Sequence, residues 1–305
     1  MAGRPCRVAA LHCDDWRYAQ ASVPGVAHHA EGRPCQDACA VRWLAASACG
    51  PVLLLAAADG AGSAAQADLG ATLACQALLD GFSDWLRDSA DRDDWQSAAP
   101  VLLARVQATL DEQARRLQQP LREFACTLLG AALADDRALL LQIGDGAIIL
   151  GSGDDYRVQF WPQAGEYANE TYFVTDTGAA ARLECVLLRE TVAEIALLTD
   201  GLQWLALHYP SRQAHAPFFR PLFRALRAQT AAGEAVTLNA ALAELLTGPA
   251  ICTRTHDDKT LILATRRTAE PAAERVSADA ATPSPLAPPV ARTNPDSADD
   301  RNTSA

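Results

Sequence analysis

Lysine is all but missing from this chain: Lys259 is the single example in 305 residues. Acids outnumber Lys and Arg by 37 to 26, which leaves a formal net charge of -11. A nucleic-acid binder needs a basic face to displace counterions from phosphates, so that class of partner is excluded. An anionic membrane surface asks for the same basic face and is excluded with it. Long apolar runs are missing too. The longest, Val52 to Ala58, is far too short to cross a bilayer. The opening MAGRPCRVAA has no apolar stretch of secretory length, so a cytoplasmic protein is expected. No Cys-x-x-Cys pair occurs among the nine cysteines, whose odd number and irregular spacing speak for reduced, buried thiols. Cys35 and Cys39 are neighbours in sequence, but two sulfurs do not make a zinc site. Gly-Lys-Ser/Thr is absent, which removes nucleotide hydrolysis by a P-loop.

What is present is a half-hydrophobic chain with only 6% aromatics, so its core is built from small aliphatic side chains. Residues 1–267 are read as the folded domain. Residues 268–305, rich in Ala, Pro, Ser, Thr and Asp, bury too little to offset their ordering entropy and are read as a disordered tail. Short apolar runs predict strands at 7–11, 38–44, 52–58, 126–133, 138–143, 147–150, 157–161, 183–188, 195–198 and 260–264. Longer periodic runs predict helices over 64–86, 100–117, 217–229 and 238–246, the second of them capped by Asp94 or Ser97. Strands in direct succession imply antiparallel hairpins. The simplest arrangement is an α+β fold: an α/β/β/α sandwich of two packed antiparallel sheets flanked by helices.

Acidic residues recur where these strands stop or start. Asp59 ends one run in AADGAGSA, Asp145 another in QIGDGA, and Asp200 a third in LLTDGL. Asp257 and Asp258 precede a strand in HDDKTLILA, and Asp37 precedes one in CQDACAV. A single Asp-Gly is a turn signal. Several at strand ends put carboxylates on rigid elements at one rim, where they repel one another unless a cation intervenes. An all-oxygen set selects hard ions, Mg or Mn, over zinc or copper.

The motifs QDA, ADGAGSA, IGDGA, LTDGL and DDKTLIL, in this order, resemble the metal-dependent serine/threonine phosphatases of type 2C, the PPM family, and its bacterial branch in particular. The resemblance runs from about Gly25 to Ala264. It implies two Mn or Mg ions, with a third held more weakly, and hydrolysis of phosphoserine or phosphothreonine on proteins by a water bridging the two metals. Asp59 would bridge the ions and Gly60 would offer its carbonyl. Asp200 and Asp257 would complete the second ion's ligands, Asp37 would act through bound water, and Asp145 would hold the third ion. Asp258 would at most support a ligand. A phosphoprotein substrate and an opposing bacterial serine/threonine kinase are the partners so implied, in a signalling role. Two positions depart from the pattern. Ala61 stands where many relatives carry a histidine, which leaves a metal-bound water or another residue, His28 or His29, to protonate the leaving group. Gly32 stands where relatives place a phosphate-binding arginine, which leaves Arg33. These departures favour the alternative of a pseudophosphatase that binds phosphoproteins without turnover; a small phosphorylated metabolite is a third reading. The stretch 162–178 is read as a recognition flap. Ser63 is read as a helix cap, and Trp161 and Trp204 as core or rim packing.

Overall fold

Successive residues of the run from Val52 face opposite ways, as a pleated strand requires. Val52, Leu54, Ala56 and Ala58 pack on a helical layer, while Leu53, Leu55 and Ala57 pack against a second sheet. A strand covered on both faces needs no polar residues, which is why this one reads as an unbroken apolar run. The computed structural model describes residues 16–47, 50–88, 94–163 and 171–267. The strand expected at 7–11 and the tail at 268–305 lie outside these residues, as do 164–170 of the expected flap.

In chain order, β1 (Trp16–Val23), α1 (Val26–Glu31), β2 (Asp37–Leu44) and β3 (Val52–Asp59) open the fold. Two long helices follow, α2 (Ala67–Asp88) and α3 (Ala98–Leu117). Then come β4 (Leu128–Leu133), β5 (Ala138–Ile143), β6 (Ala147–Ser152), β7 (Asp155–Phe160), α4 (Ala179–Arg182), β8 (Glu184–Leu188) and β9 (Glu194–Leu198). After α5 (Gln203–Ala206), the two-residue strands β10 (Leu207–His208) and β11 (Gln213–Ala214) lead to α6 (Ala216–Arg227). The chain closes with β12 (Gly233–Glu234), α7 (Val236–Thr247), α8 (Pro249–Cys252) and β13 (Lys259–Arg266).

One sheet has the order β2-β3-β4-β5-β8 and is antiparallel throughout. The other has the order β12-β1-β13-β9-β6-β7, and only its β12–β1 edge is parallel. Their inner faces meet through Trp16, Leu53, Leu129, Ile148, Leu197 and Ile262. Helices α2 and α3 cover the first sheet, and α6 and α7 cover the second. The expected four-layer sandwich is therefore what forms.

Three expectations change. Strand β1 was not anticipated, because Arg17, Gln20 and Ser22 interrupt its apolar residues; each makes a hydrogen bond to another segment. Ser97 precedes α3 but does not cap it: its hydroxyl donates to the Asp94 carbonyl at 2.8 Å. Nor does Ser63 cap α2. The amide just before that helix, at Ala65, donates to the Glu123 carboxylate at 2.9 Å.

Candidate active site

All the strand-end acids come to one rim. Strands β2 and β3 are paired so that Asp37 lies opposite Asp59. Asp145 lies between β5 and β6, Asp200 follows β9, and Asp257 precedes β13, which pairs with β9. Carboxylate oxygens of Asp59, Asp145 and Asp200 all fall within 4.8 Å of one another. They line a cavity of about 800 Å³ together with Asp257 and His28.

Close backbone approach makes this convergence feasible. A Cβ at Gly201 would stand 1.9 Å from the Asp258 carbonyl oxygen, and one at Gly60 would stand 2.6 Å from that of Ala67. The glycines after Asp59 and Asp200 are therefore packing requirements as well as turn signals. Asp258 is the buckle of the rim. It is buried, and its carboxylate accepts the Gly25 and Gln36 amides, each at 2.6 Å, while His28 Nδ1 lies 2.8 Å away. It thereby ties the starts of α1 and β2 to the start of β13.

The acids are far from their ordinary state. Burial raises Asp37 to about 7, against the stabilising hydroxyl of Thr199 at 2.7 Å. Burial first, and then the charges of Asp37 and Asp200, push Asp59 well up. Asp200 rises by burial and by the charges of Asp145 and Asp257, and Asp145 rises chiefly by burial. One oxygen each of Asp37 and Asp145 is buried with no hydrogen-bond partner. Buried acids that repel one another and keep unpartnered oxygens make a donor set that hard divalent cations fit.

The predicted residues are not all equally placed. Asp257 is exposed at the mouth; its Oδ1 accepts the Asp258 amide at 2.9 Å. His28 lines the cavity with Nδ1 held by Asp258, and Ala61 and Gly60 lie in the wall nearby. Arg33 is exposed outside that lining, with Nη2 3.3 Å from the Gly62 carbonyl and Nη1 3.6 Å from Glu31. Among the described residues, the cluster within 4.8 Å contains neither Asp37 nor Asp257; Asp37 stands behind Asp59 on the adjoining strand. Sequence reasoning missed the residues that hold the acids. Thr199 donates to Asp37, Thr127 Oγ1 accepts the Asp59 amide at 2.9 Å, and the Gln203 amide donates to the Asp145 carbonyl. Thr199, next to Asp200 after a buried apolar run, carried a readable signal. Trp204 proves to be rim rather than core: it is 71% exposed and stacked on Tyr209.

The family described as Protein phosphatase 2C matches residues 24–247, so the chain belongs to the protein phosphatase 2C family. Serine/threonine-protein phosphatase 3 of Escherichia coli is 38% identical over 252 residues, covering 82% of this chain and 98% of that protein. Among solved structures, the serine/threonine phosphatase Stp1 of Staphylococcus aureus superposes with a TM-score of 0.54 at 13% identity. That match covers 88% of this chain and all of Stp1. PppA of Pseudomonas aeruginosa superposes at 0.52 with 18% identity, over 83% of this chain and 98% of its own. At these identities the structural matches establish the sandwich fold; the family assignment makes the chain a protein phosphatase.

Proposed function

We propose that this protein removes phosphoryl groups from phosphoserine and phosphothreonine of other proteins, using two Mn or Mg ions and a third held more weakly. The supporting observation is the convergence of Asp59, Asp145 and Asp200 oxygens within 4.8 Å, with unpartnered buried oxygens beside them. Asp59, Gly60, Asp200 and Asp257 would hold the two principal ions, Asp37 would act mainly through bound water, and Asp145 would help hold the third. Bound divalent cations supply charge neutralisation for the phosphoryl oxygens and acidify water at neutral pH. The chain supplies the rest. Thr199 and Thr127 fix the Asp37 and Asp59 positions. His28, oriented through Nδ1 by Asp258, stands in the cavity wall and would, as the imidazolium, give its Nε2 proton to the departing serine or threonine oxygen, leaving the neutral imidazole with its remaining proton on Nδ1. Arg33, outside the lining, adds positive charge next to Gly62 of the cavity wall.

The catalytic unit in this reading spans residues 1–267, with 268–305 a tail outside it. A phosphoprotein substrate implies an opposing kinase, and with it a signalling role. Cytoplasmic residence is supported by the free thiols of the described cysteines; no described helix is long and apolar enough to cross a membrane. The test is release of phosphate from phosphoserine peptides and from phosphorylated sugars or nucleotides, with Mn and then with EDTA. Metal-dependent turnover on the peptides supports the reading. Metabolite turnover alone would refute the protein substrate, and no turnover of either would leave a phosphoprotein-binding module.

A further inference from the structure

The cavity has an electrostatic asymmetry that the acidic cluster leaves unexplained. Its lining carries six aspartates, and among the described residues one arginine, Arg182. A phosphorylated side chain must pass this wall. Arg182, at the end of α4, lies with its guanidinium carbon 4.1 Å from the centroid of the Tyr172 ring, which also lines the cavity. Stacking of this kind fixes the plane of the guanidinium and leaves its N–H edge for an oxyanion. No carboxylate among the described residues pairs with it. Asp176, in the same wall, is committed elsewhere: its Oδ2 accepts the Phe173 amide at 2.8 Å.

Arg182 is also tied to the acids. Gln163 Nε2 donates to the Arg182 carbonyl at 2.8 Å, and Gln163 Oε1 accepts the Gly144 amide at 2.8 Å. Gly144 immediately precedes Asp145. One glutamine thus sets the distance between this arginine and the acidic rim. Arg33, by contrast, lies outside the lining and is drawn toward Gly62 and Glu31.

We propose that Arg182 is a substrate-binding residue that takes the phosphoryl oxygens at the cavity wall, in place of the cation missing at Gly32. This rests on the phosphatase reading above. Its test compares Arg182→Ala, Arg182→Lys and Arg33→Ala in the full chain with Mn. Binding of inorganic phosphate is followed by calorimetry, and kcat and KM are measured separately on p-nitrophenyl phosphate and on phosphoserine peptides with and without acidic neighbours. Loss of a charge-assisted hydrogen bond at an exposed site predicts about tenfold weaker phosphate binding and about tenfold higher KM on every substrate. The change in kcat should be smaller, Arg182→Lys should recover part of the loss, and Arg33→Ala should cost less. Unchanged phosphate binding and KM in Arg182→Ala would overturn the proposal. So would a KM defect confined to peptides with acidic neighbours, which would assign the arginine to the flanking chain. A wild-type protein without turnover would sink the phosphatase reading instead; phosphate binding that still falls in Arg182→Ala would then uphold the arginine's role, and equal binding would overturn it.

Discussion

Single residues at the rim divide into those that carry charge and those that hold the charge in place. The aspartates were legible because each stands where an apolar run starts or stops, all but Asp37 beside a glycine or a second acid, a pattern that burial makes costly without a ligand. Thr127 and Gln203 were not legible, since a hydroxyl or amide in such a setting has many structural uses; Thr199, beside Asp200, carried a signal that was not used. Their contribution is nonetheless testable. Thr199→Val removes the hydroxyl that donates to the buried Asp37 at 2.7 Å. It should cost roughly 1–3 kcal/mol of stability in the metal-free protein, read by urea unfolding, and weaken Mn binding in calorimetry. Unchanged values in both measurements would show that Asp37 needs no fixed donor. Asp258→Ala should be worse, at roughly 3–5 kcal/mol, because it leaves the Gly25 and Gln36 amides buried without their acceptor. A melting temperature within a degree or so of wild type would argue that another group takes up those amides.

At the level of elements, apolar runs gave the central strands and the two long helices to within a few residues, since strands buried on both faces can be nothing but apolar. Strand β1 escaped for the opposite reason. Its alternation of Ala19, Ala21 and Val23 with polar residues is the pattern of a strand whose polar side chains bond to neighbouring segments. Helix caps also escaped, because Glu123, which accepts the amide ahead of α2, lies 58 residues away in sequence. The approach of β9 to β13 depends on Gly201, where a Cβ would stand 1.9 Å from the Asp258 carbonyl oxygen. That obstacle is backbone and cannot rotate aside. Gly201→Ala should therefore separate Asp200 from Asp59 and lower both thermal stability and Mn affinity, the stability by roughly 1–3 kcal/mol. A soluble variant with wild-type Mn affinity would show that the rim can shift without cost.

Over the whole molecule, a chain of net charge -11 accepts an anionic substrate only if the field at the site is reversed locally. The acids prepare that reversal at a cost that depends on pH. Asp37, raised to about 7, lies above its ordinary carboxylate value, so the metal-free folded protein keeps a proton that the unfolded chain has released. Its contribution to stability is full below the unfolded value and is lost as pH rises through about 7. Cation binding displaces that proton. Metal-free stability should therefore fall, and Mn affinity should rise, as pH increases through neutrality. Calorimetry in two buffers of different ionisation enthalpy should report protons released on binding; no release would mean the acids are already ionised.

The central claim is that the strand-end aspartates form one cation-dependent hydrolytic site. Hydrolysis of p-nitrophenyl phosphate with Mn, with Mg and with EDTA, by the wild type and by Asp59→Asn and Asp200→Asn, tests it most directly. The account predicts activity that requires the metal and falls roughly 10³-fold in each variant, the loss of several kcal/mol of charge stabilisation. Activity that survives EDTA, or that persists in both variants at near wild-type rate, would contradict it.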